Sequence, residues 1–376
     1  MLKSALVLLL AVCLTVFLLA SANQAQVAAP WKIVSWASPL GPQALAYDSL
    51  CGLKAMLSFL NANGGVDGRP IEIYSQEMDD GLPDFPARLN TVMQQVQPNL
   101  VIGGAANARS GATADYFRRL GLVWFGPWTD QAGGYQAKAD DPIGLFPAAG
   151  EELDLLLGHA ARKLSPGSEI LFVYYETGDQ RRDVDLALAK GAALGLSVVP
   201  LPLSPNFRNW GELESPAAGA GGVVLWLPAG PAAAVVRTIK NRLPEDTVWM
   251  TNSMNSPGIE VTEMTGGLWE GMVFPAVLKP KSAVTQSYDA VLNKYGPRGL
   301  TLDYQAYLGL AQAQVMVRAM MNAGRAGGSA GLREAFARTS SDGTLLHAPV
   351  FRTGPPPTGA AYLAEAASNW TWRPVE

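Results

Sequence analysis

The polar residues best placed to do chemistry sit in two short stretches, Gly103–Arg109 and Gly126–Asp130. The first brings Asn107 and Arg109 to the start of a segment with helical spacing, and the second brings Trp128, Thr129 and Asp130. Each follows a short apolar run, Leu100–Ile102 or Leu122–Phe125. Such runs are too short for helices and read as buried parallel strands. Between them, Ser110–Leu120 places Ala114, Phe117 and Leu120 on one side and Arg118 and Arg119 on the other. This is a strand–helix–strand crossover. It carries both stretches to the carboxyl edge of one sheet, where open α/β sheets hold their ligands. The two loops are therefore expected to form half of a small-molecule cleft. The plainer alternatives are a helix N-cap at Asn107–Ser110 and a simple turn at Trp128–Thr129. Arg109 is either a solvated helix-end charge or a partner for an anionic ligand.

The remaining chemical inventory is thin. Gly-x-Ser-x-Gly, His-Glu-x-x-His and a phosphate-binding loop ending in Lys-Ser or Lys-Thr are all absent. The two histidines, His159 in a helical segment and His347 near the tail, have no Ser or Cys partner in sequence. Two His and two Cys are a poor basis for metal or thiol chemistry. No enzyme activity, cofactor or metal is expected. A formal charge of −4 with 16% charged residues leaves no basic footprint for nucleic acid. At 376 residues and 48% hydrophobic, the chain can build two substantial cores. Lys3, the apolar run Ala5–Ala20 and the small residues Ala20-Ser21-Ala22 read as an export signal over residues 1–22. The rival reading is an uncleaved anchor. The missing charged stop favours cleavage, with a mature start near Asn23. Cys51 would then be the only thiol, beside the apolar stripe of a helix and structural in role.

Elements alternate along the chain. Strands are expected at Trp31–Ser38 and Ile71–Ser75, with helices over Ala46–Leu60 and Phe85–Val96. The pattern then restarts: strands at Glu169–Tyr175, Leu196–Pro200, Gly222–Leu227 and Val248–Thr251, and helices at Glu151–Leu164, Arg182–Leu194 and Pro231–Arg242. Helices over Ala283–Tyr295, Tyr304–Met321 and Gly331–Arg338 follow, and the Pro-, Gly- and Ala-rich tail carries weak strand signals. The alternation means doubly wound parallel sheets in two α/β units. Trp36, Trp128 and Trp226 fall at strand ends, where they either pack in the core or wall a ligand.

Asn61–Gly81 (NANGGVDGRPIEIYSQEMDDG) resembles the signature of type I periplasmic substrate-binding proteins, in particular the leucine/isoleucine/valine-binding group of ABC importers. Its Asn, paired Gly, Gly-Arg and terminal acidic pair are present, and the strand–loop–helix–strand–loop course of Val101–Asp130 is similar too. The resemblance runs in order over about Trp31–Phe274. It implies two Rossmann-like lobes joined by a three-segment hinge: residues 31–145 plus 274–345, and residues 146–273 plus 346–376. It also implies ligand contacts. Asn107, Ala108 and Arg109 match the loop whose backbone N–H groups hold a carboxylate, a sound anion site at a helix start. Trp128, Thr129 and Asp130 match the next loop, and Tyr47 a family aromatic. In the second lobe the matching loops are Glu176–Arg181, Leu227–Gly230 and Asn252–Met254. There the sequence departs from the pattern. Asn252-Ser253-Met254 lacks the acid that pairs with an amino acid's ammonium, and Asp179 and Ala229 stand where aromatics are usual. Asp130, Glu176 or Asp179 are the alternative partners for an ammonium.

The expected function is capture of a small molecule between the lobes and delivery to the transmembrane subunits of an ABC permease. The ligand is amino acid-like, another small organic acid or an aromatic compound. The protein is expected to be a periplasmic monomer that meets the membrane only through the permease. A sensory ligand-binding protein of the same fold is the alternative, and an exported α/β hydrolase a distant one.

Overall fold

The computed structural model describes residues 29–38, 44–79, 81–104, 110–128, 142–176, 180–256, 258–347, 359, 361–368 and 371–375. The expected export signal lies outside them. Among the described residues, no helix is long and apolar enough to cross a membrane.

Strands β1 (Trp31–Trp36), β2 (Ile71–Gln76), β3 (Leu100–Ile102) and β4 (Val123–Phe125) form a parallel sheet in the order β2-β1-β3-β4. Leu100, Val101 and Ile102 have no exposed surface, as expected of a strand covered on both faces. Helices α1 (Ala44–Ala62), α2 (Phe85–Val96) and α3 (Ser110–Arg119) connect these strands. The second sheet is built from β5 (Glu169–Tyr175), β6 (Ser197–Leu203), β7 (Gly222–Trp226), β8 (Val248–Thr251) and β9 (Val273–Ala276), all parallel. The crossovers include α4 (Ala149–Lys163), α5 (Gln180–Ala193) and α6 (Ala229–Ile239). The parallel part has the order β6-β5-β7-β8-β9, the same winding as the first sheet. Two long helical elements, α7 (Tyr304–Ala323) and α8 (Ser329–Ala337), follow, and α7 packs along α1.

The α1–α7 crossing is unusually close. A Cβ built on Gly309 would sit 1.7 Å from the Ser49 carbonyl oxygen, and one on Gly52 would sit 1.9 Å from that of Ala306. The Asn61–Gly81 signature proves to be a brace. The Asn61 side-chain amide donates to the Ile71 carbonyl at 2.7 Å and accepts from its N–H at 2.8 Å, fixing the start of β2 against the end of α1. The Arg69 guanidinium lies 3.7 Å over the Trp31 ring and donates to the carbonyls of Ala29, Arg325 and Gly327.

Two expectations change. The helix expected over residues 283–295 divides into Ala283–Gln286 and Asp289–Tyr295. The Thr285 hydroxyl closes the first turn on Ser282, and the Asp289 carboxylate is drawn to the Tyr307 hydroxyl. The tail forms β10 (Tyr362–Ala366) and β11 (Trp372–Pro374), which extend the second sheet antiparallel from β9. Trp372 is buried there against Tyr304 and Tyr307 of α7, a surface that exists only after folding.

Candidate functional site

In each sheet the winding reverses beside its first strand, between β1 and β3 and between β5 and β7. Crevices open at such reversals, outside the carboxyl ends of the strands. At the first reversal β3 runs into Gly103 and Gly104, both in the left-handed region. Gly104 lies flat on the Trp36 ring, and a Cβ there would come within 2.7 Å of it. Trp36 itself has no exposed surface and packs among Phe85, Phe117 and Trp124 with ring centroids 5.7 to 6.0 Å apart. It supports the edge loop from below instead of walling a cleft. The Trp124 indole N–H donates to the Gly103 carbonyl at 2.7 Å. Gln312 of α7 reaches the same edge and donates to the Gly126 carbonyl at 3.1 Å.

Trp128 is held at this edge by its backbone N–H, which donates to the Gly104 carbonyl at 2.9 Å. Its ring meets Phe146 edge-on at 5.1 Å. The side chain is only 5% exposed, yet among the described residues its indole N–H has no hydrogen-bond partner. Trp31, Trp269 and Trp372 share that condition. Only Trp128 follows the carboxyl end of a strand of the parallel first sheet.

The carboxyl edge of the second sheet is knitted by Asn255. Its side-chain N–H groups donate to the Leu227 carbonyl at 2.6 Å and the Thr251 hydroxyl at 3.1 Å, tying the loop after β8 to the loop after β7. Ala229, the first residue of α6, is buried at this junction. Ser253 is 1% exposed and turns to Glu152, which it meets through both its hydroxyl and its N–H, the latter at 3.2 Å. The loop that lacks an acid in sequence is thus met by one from the first turn of α4. Glu152 is 4% exposed. Burial pushes its carboxyl up to about 8 against the opposing hydrogen bonds from Ser253, with Asp183 and Glu151 raising it further. Trp226, the other strand-end tryptophan, packs on Phe172 and donates its indole N–H to Asp183 at 3.0 Å. It is core, not an open wall.

Of the residues expected at the ligand, Asn107, Ala108, Arg109, Thr129, Asp130 and Asp179 lie outside the described residues. Trp128 and Trp36 are brought to the edge of the first sheet, and Ala229 and Ser253 to that of the second. Tyr47 is half-buried on α1 against the central core. Cys51 is buried, and burial pushes its thiol up to about 11, as suits a structural role. Glu152 and Asn255 were missed as edge residues. A signal for Glu152 was available: it precedes Leu156 by one helical turn, on the stripe that faces inward. His159 is buried within α4 and His347 packs on Tyr362 at 5.1 Å.

A family model described as "Periplasmic binding protein" matches residues 35–369. The chain belongs to that family. Solved structures agree in fold. A possible leucine/isoleucine/valine-binding protein from Rhodopirellula baltica aligns with a TM-score of 0.78 at 12% identity, over 94% of this chain and 98% of that one. A branched chain amino acid ABC transporter protein from Thermus thermophilus, with bound valine, aligns at 0.72 and 14% identity over 93% and 95%. A solute binding protein from R. palustris in complex with 4-hydroxybenzoate aligns at 0.71 and 13% identity over 93% and 96%. A search of curated proteins found no match. The periplasmic binding fold accounts for the two sheets with one winding, which are the cores of its two lobes. Members of this family bind solutes and are not enzymes. Membership also implies a periplasmic or extracellular location.

Proposed function

We propose that this periplasmic binding protein captures a small carboxylic acid that lacks an α-ammonium group and delivers it to an ABC permease. The lobes are residues 31–145 plus about 277–345 and about 146–276 plus 346–376, the expected boundary at 274 moving past β9, which lies in the second sheet. The chain is exported through cleavage after about Ala22 and acts as a monomer. The observation that carries the reading is the buried indole N–H of Trp128 at the carboxyl edge of the first sheet, unpartnered among the described residues. A buried donor left unpaired costs about 1–3 kcal/mol, and a ligand oxygen would relieve it. The loop of Asn107, Ala108 and Arg109 would add backbone donors at the start of α3, with Thr129 and Asp130 beside Trp128. From the second lobe the ligand would meet Asp179 and the Leu227–Gly230 turn.

The lack of an ammonium is supported by the described acids of the second edge, and Asp130 and Asp179 would take ligand hydroxyl groups instead. Glu152 is taken up by Ser253, and Asp183 accepts from Trp226. Glu176, at the end of β5, is exposed to solvent, where an ion pair is worth little. Valine and 4-hydroxybenzoate, held by two structures of this fold, share a carboxylate and differ in the ammonium. Thermal unfolding is the test, run with 4-hydroxybenzoate, benzoate, short aliphatic acids, leucine, isoleucine and valine. An acid without an amino group should raise Tm in proportion to its concentration. Trp128→Phe should weaken that binding roughly ten-fold while leaving the Tm of the free protein within a degree or two of the parent. A rise with leucine, isoleucine or valine overturns the ligand class. No rise with any acid overturns the carboxylate reading.

A further inference from the structure

One turn of α7 joins the two lobes. The helix packs along α1 in the first lobe, and its N-cap is Asp303, whose carboxylate accepts the Ala306 N–H at 2.9 Å. That cap fixes the next two side chains, one on a segment that crosses between the lobes and one on the second lobe. The Tyr304 hydroxyl accepts the N–H groups of Val277 at 2.8 Å and Leu278 at 3.2 Å. These residues leave β9 and run beside the returning chain: Leu278 pairs with Leu346, Lys279 N–H donates to Leu345 at 2.8 Å and His347 N–H to Val277 at 2.7 Å. Two of the strands that cross between the lobes are thus tied side by side, and Tyr304 holds one of them by two consecutive amides. Its ring is clamped edge-on by Phe274 and Trp372 at 5.5 and 4.8 Å.

Gln305 makes the second attachment. Its side-chain N–H groups donate to the Ser256 hydroxyl at 3.0 Å and the Ser256 carbonyl at 3.3 Å. Ser256 directly follows the turn Ser253–Asn255 at the carboxyl edge of the second sheet. Both residues have no exposed surface. The seam beside them is tight: a Cβ on Gly258 would lie 3.2 Å from both the Asp303 carboxylate and Leu45 of α1. The Gln305 side-chain oxygen is buried there without a partner among the described residues. Joining the lobes gains two hydrogen bonds and strands one acceptor, whereas separating them lets water satisfy every one of these groups. The attachment is therefore nearly balanced between held and released.

We infer that Tyr304 and Gln305 are positioning residues for ligand capture, Tyr304 as the pivot of the hinge and Gln305 as a weak clasp holding the lobes at their closing angle. The inference rests on two-lobe capture as the function, and on no particular ligand. A ligand that bridges the lobes needs to tip only a small free-energy difference when the clasp is balanced in this way.

The test is a distance distribution between spin labels on the ligand-free mature protein, with Gln95→Cys on α2 and Asp185→Cys on α5, both exposed positions. Buried Cys51 stays unlabelled. Gln305→Leu keeps the volume and removes both the clasp bonds and the dry acceptor. The share of molecules outside the parent's main distance peak should rise about three-fold, because the buried Ser256 hydroxyl and carbonyl lose their donor in the held state only. The unfolding midpoint should fall by no more than a degree or two, because releasing the lobes lets water reach Ser256, whereas a merely structural residue would lower the midpoint without changing the distance distribution. Ser256→Ala leaves the carbonyl acceptor and should give a smaller broadening. Tyr304→Phe should broaden the distribution more than Gln305→Leu. If Tyr304→Phe does not fold, the two clasp variants decide. Unchanged distributions in Gln305→Leu and Ser256→Ala overturn the inference. Because no ligand is added, failure here is separate from failure of the carboxylic acid reading.

Discussion

Glu152 should make this protein less stable as pH rises, and one substitution isolates the effect. Its carboxyl is buried beneath the second-lobe edge, hydrogen-bonded only to Ser253 among the described residues, with no cation paired to it in any described salt bridge. Burial moves its titration from the ordinary 4.5 to about 8. Between those values the unfolded chain releases the proton and the native protein keeps it, so native stability falls across that window and levels off above it. At about 1.4 kcal/mol per pH unit, the interval from 4.5 to about 8 is worth up to about 5 kcal/mol. Local rearrangement and water entry reduce this, and about 2–3 kcal/mol is the working expectation. Glu152→Gln keeps the shape and an acceptor for Ser253 without an ionisable proton. Chemical unfolding of parent and variant at half-unit steps from pH 4.5 to 9 gives the difference directly, and other titrating groups cancel in it. The two should match near pH 5, and the variant should be more stable by about 2–3 kcal/mol at pH 8.5. Parallel curves across the range, or a variant less stable at pH 8.5, would refute the reasoning.

The helix crossing and the signature brace give two further expectations. Gly309→Ala would drive a methyl group to within 1.7 Å of the Ser49 carbonyl oxygen, backbone that cannot swing aside. A loss of about 3 kcal/mol or more is expected, measured by urea unfolding, and a loss below about 1 kcal/mol would contradict the close crossing. Arg69→Ala removes the cation over Trp31 and leaves the carbonyls of Ala29, Arg325 and Gly327 without their donor. This should cost about 2–4 kcal/mol. Arg69→Lys should recover less than half, because an ammonium cannot reproduce the planar fork. Full recovery by lysine would show that charge alone matters.

Periodicity was enough to read the alternation of strands and helices, because a strand buried on both faces must be apolar throughout and a crossover helix must present one apolar stripe. β3 and β4 were legible from six or seven apolar residues bounded by glycine, and the structure places both in the first sheet. The Asn61–Gly81 stretch pointed to the family, and its residues brace β2. Its physical role, a side-chain amide closed on Ile71 and a guanidinium closed on three distant carbonyls, could not be read from spacing. Neither could the division at Ser287-Tyr288, after which Asp289 opens the second helix and accepts from the Tyr307 hydroxyl.

The site divides along the same line. Which loops lie at the carboxyl edges follows from the strand–helix alternation, because crossover connections point all the parallel strands the same way. Which side chains on those loops remain available does not. Trp36 and Trp226 stood at the right positions in sequence, but one is enclosed by three aromatic rings and the other has its N–H turned to Asp183. Ser253 faced no acid in its own loop and gained Glu152 from a helix a hundred residues earlier. A sequence specifies local conformation through neighbours one turn or one strand step away. The engagement of a polar group, and so its freedom to meet a ligand, is decided by chain segments that become neighbours only when the two lobes fold.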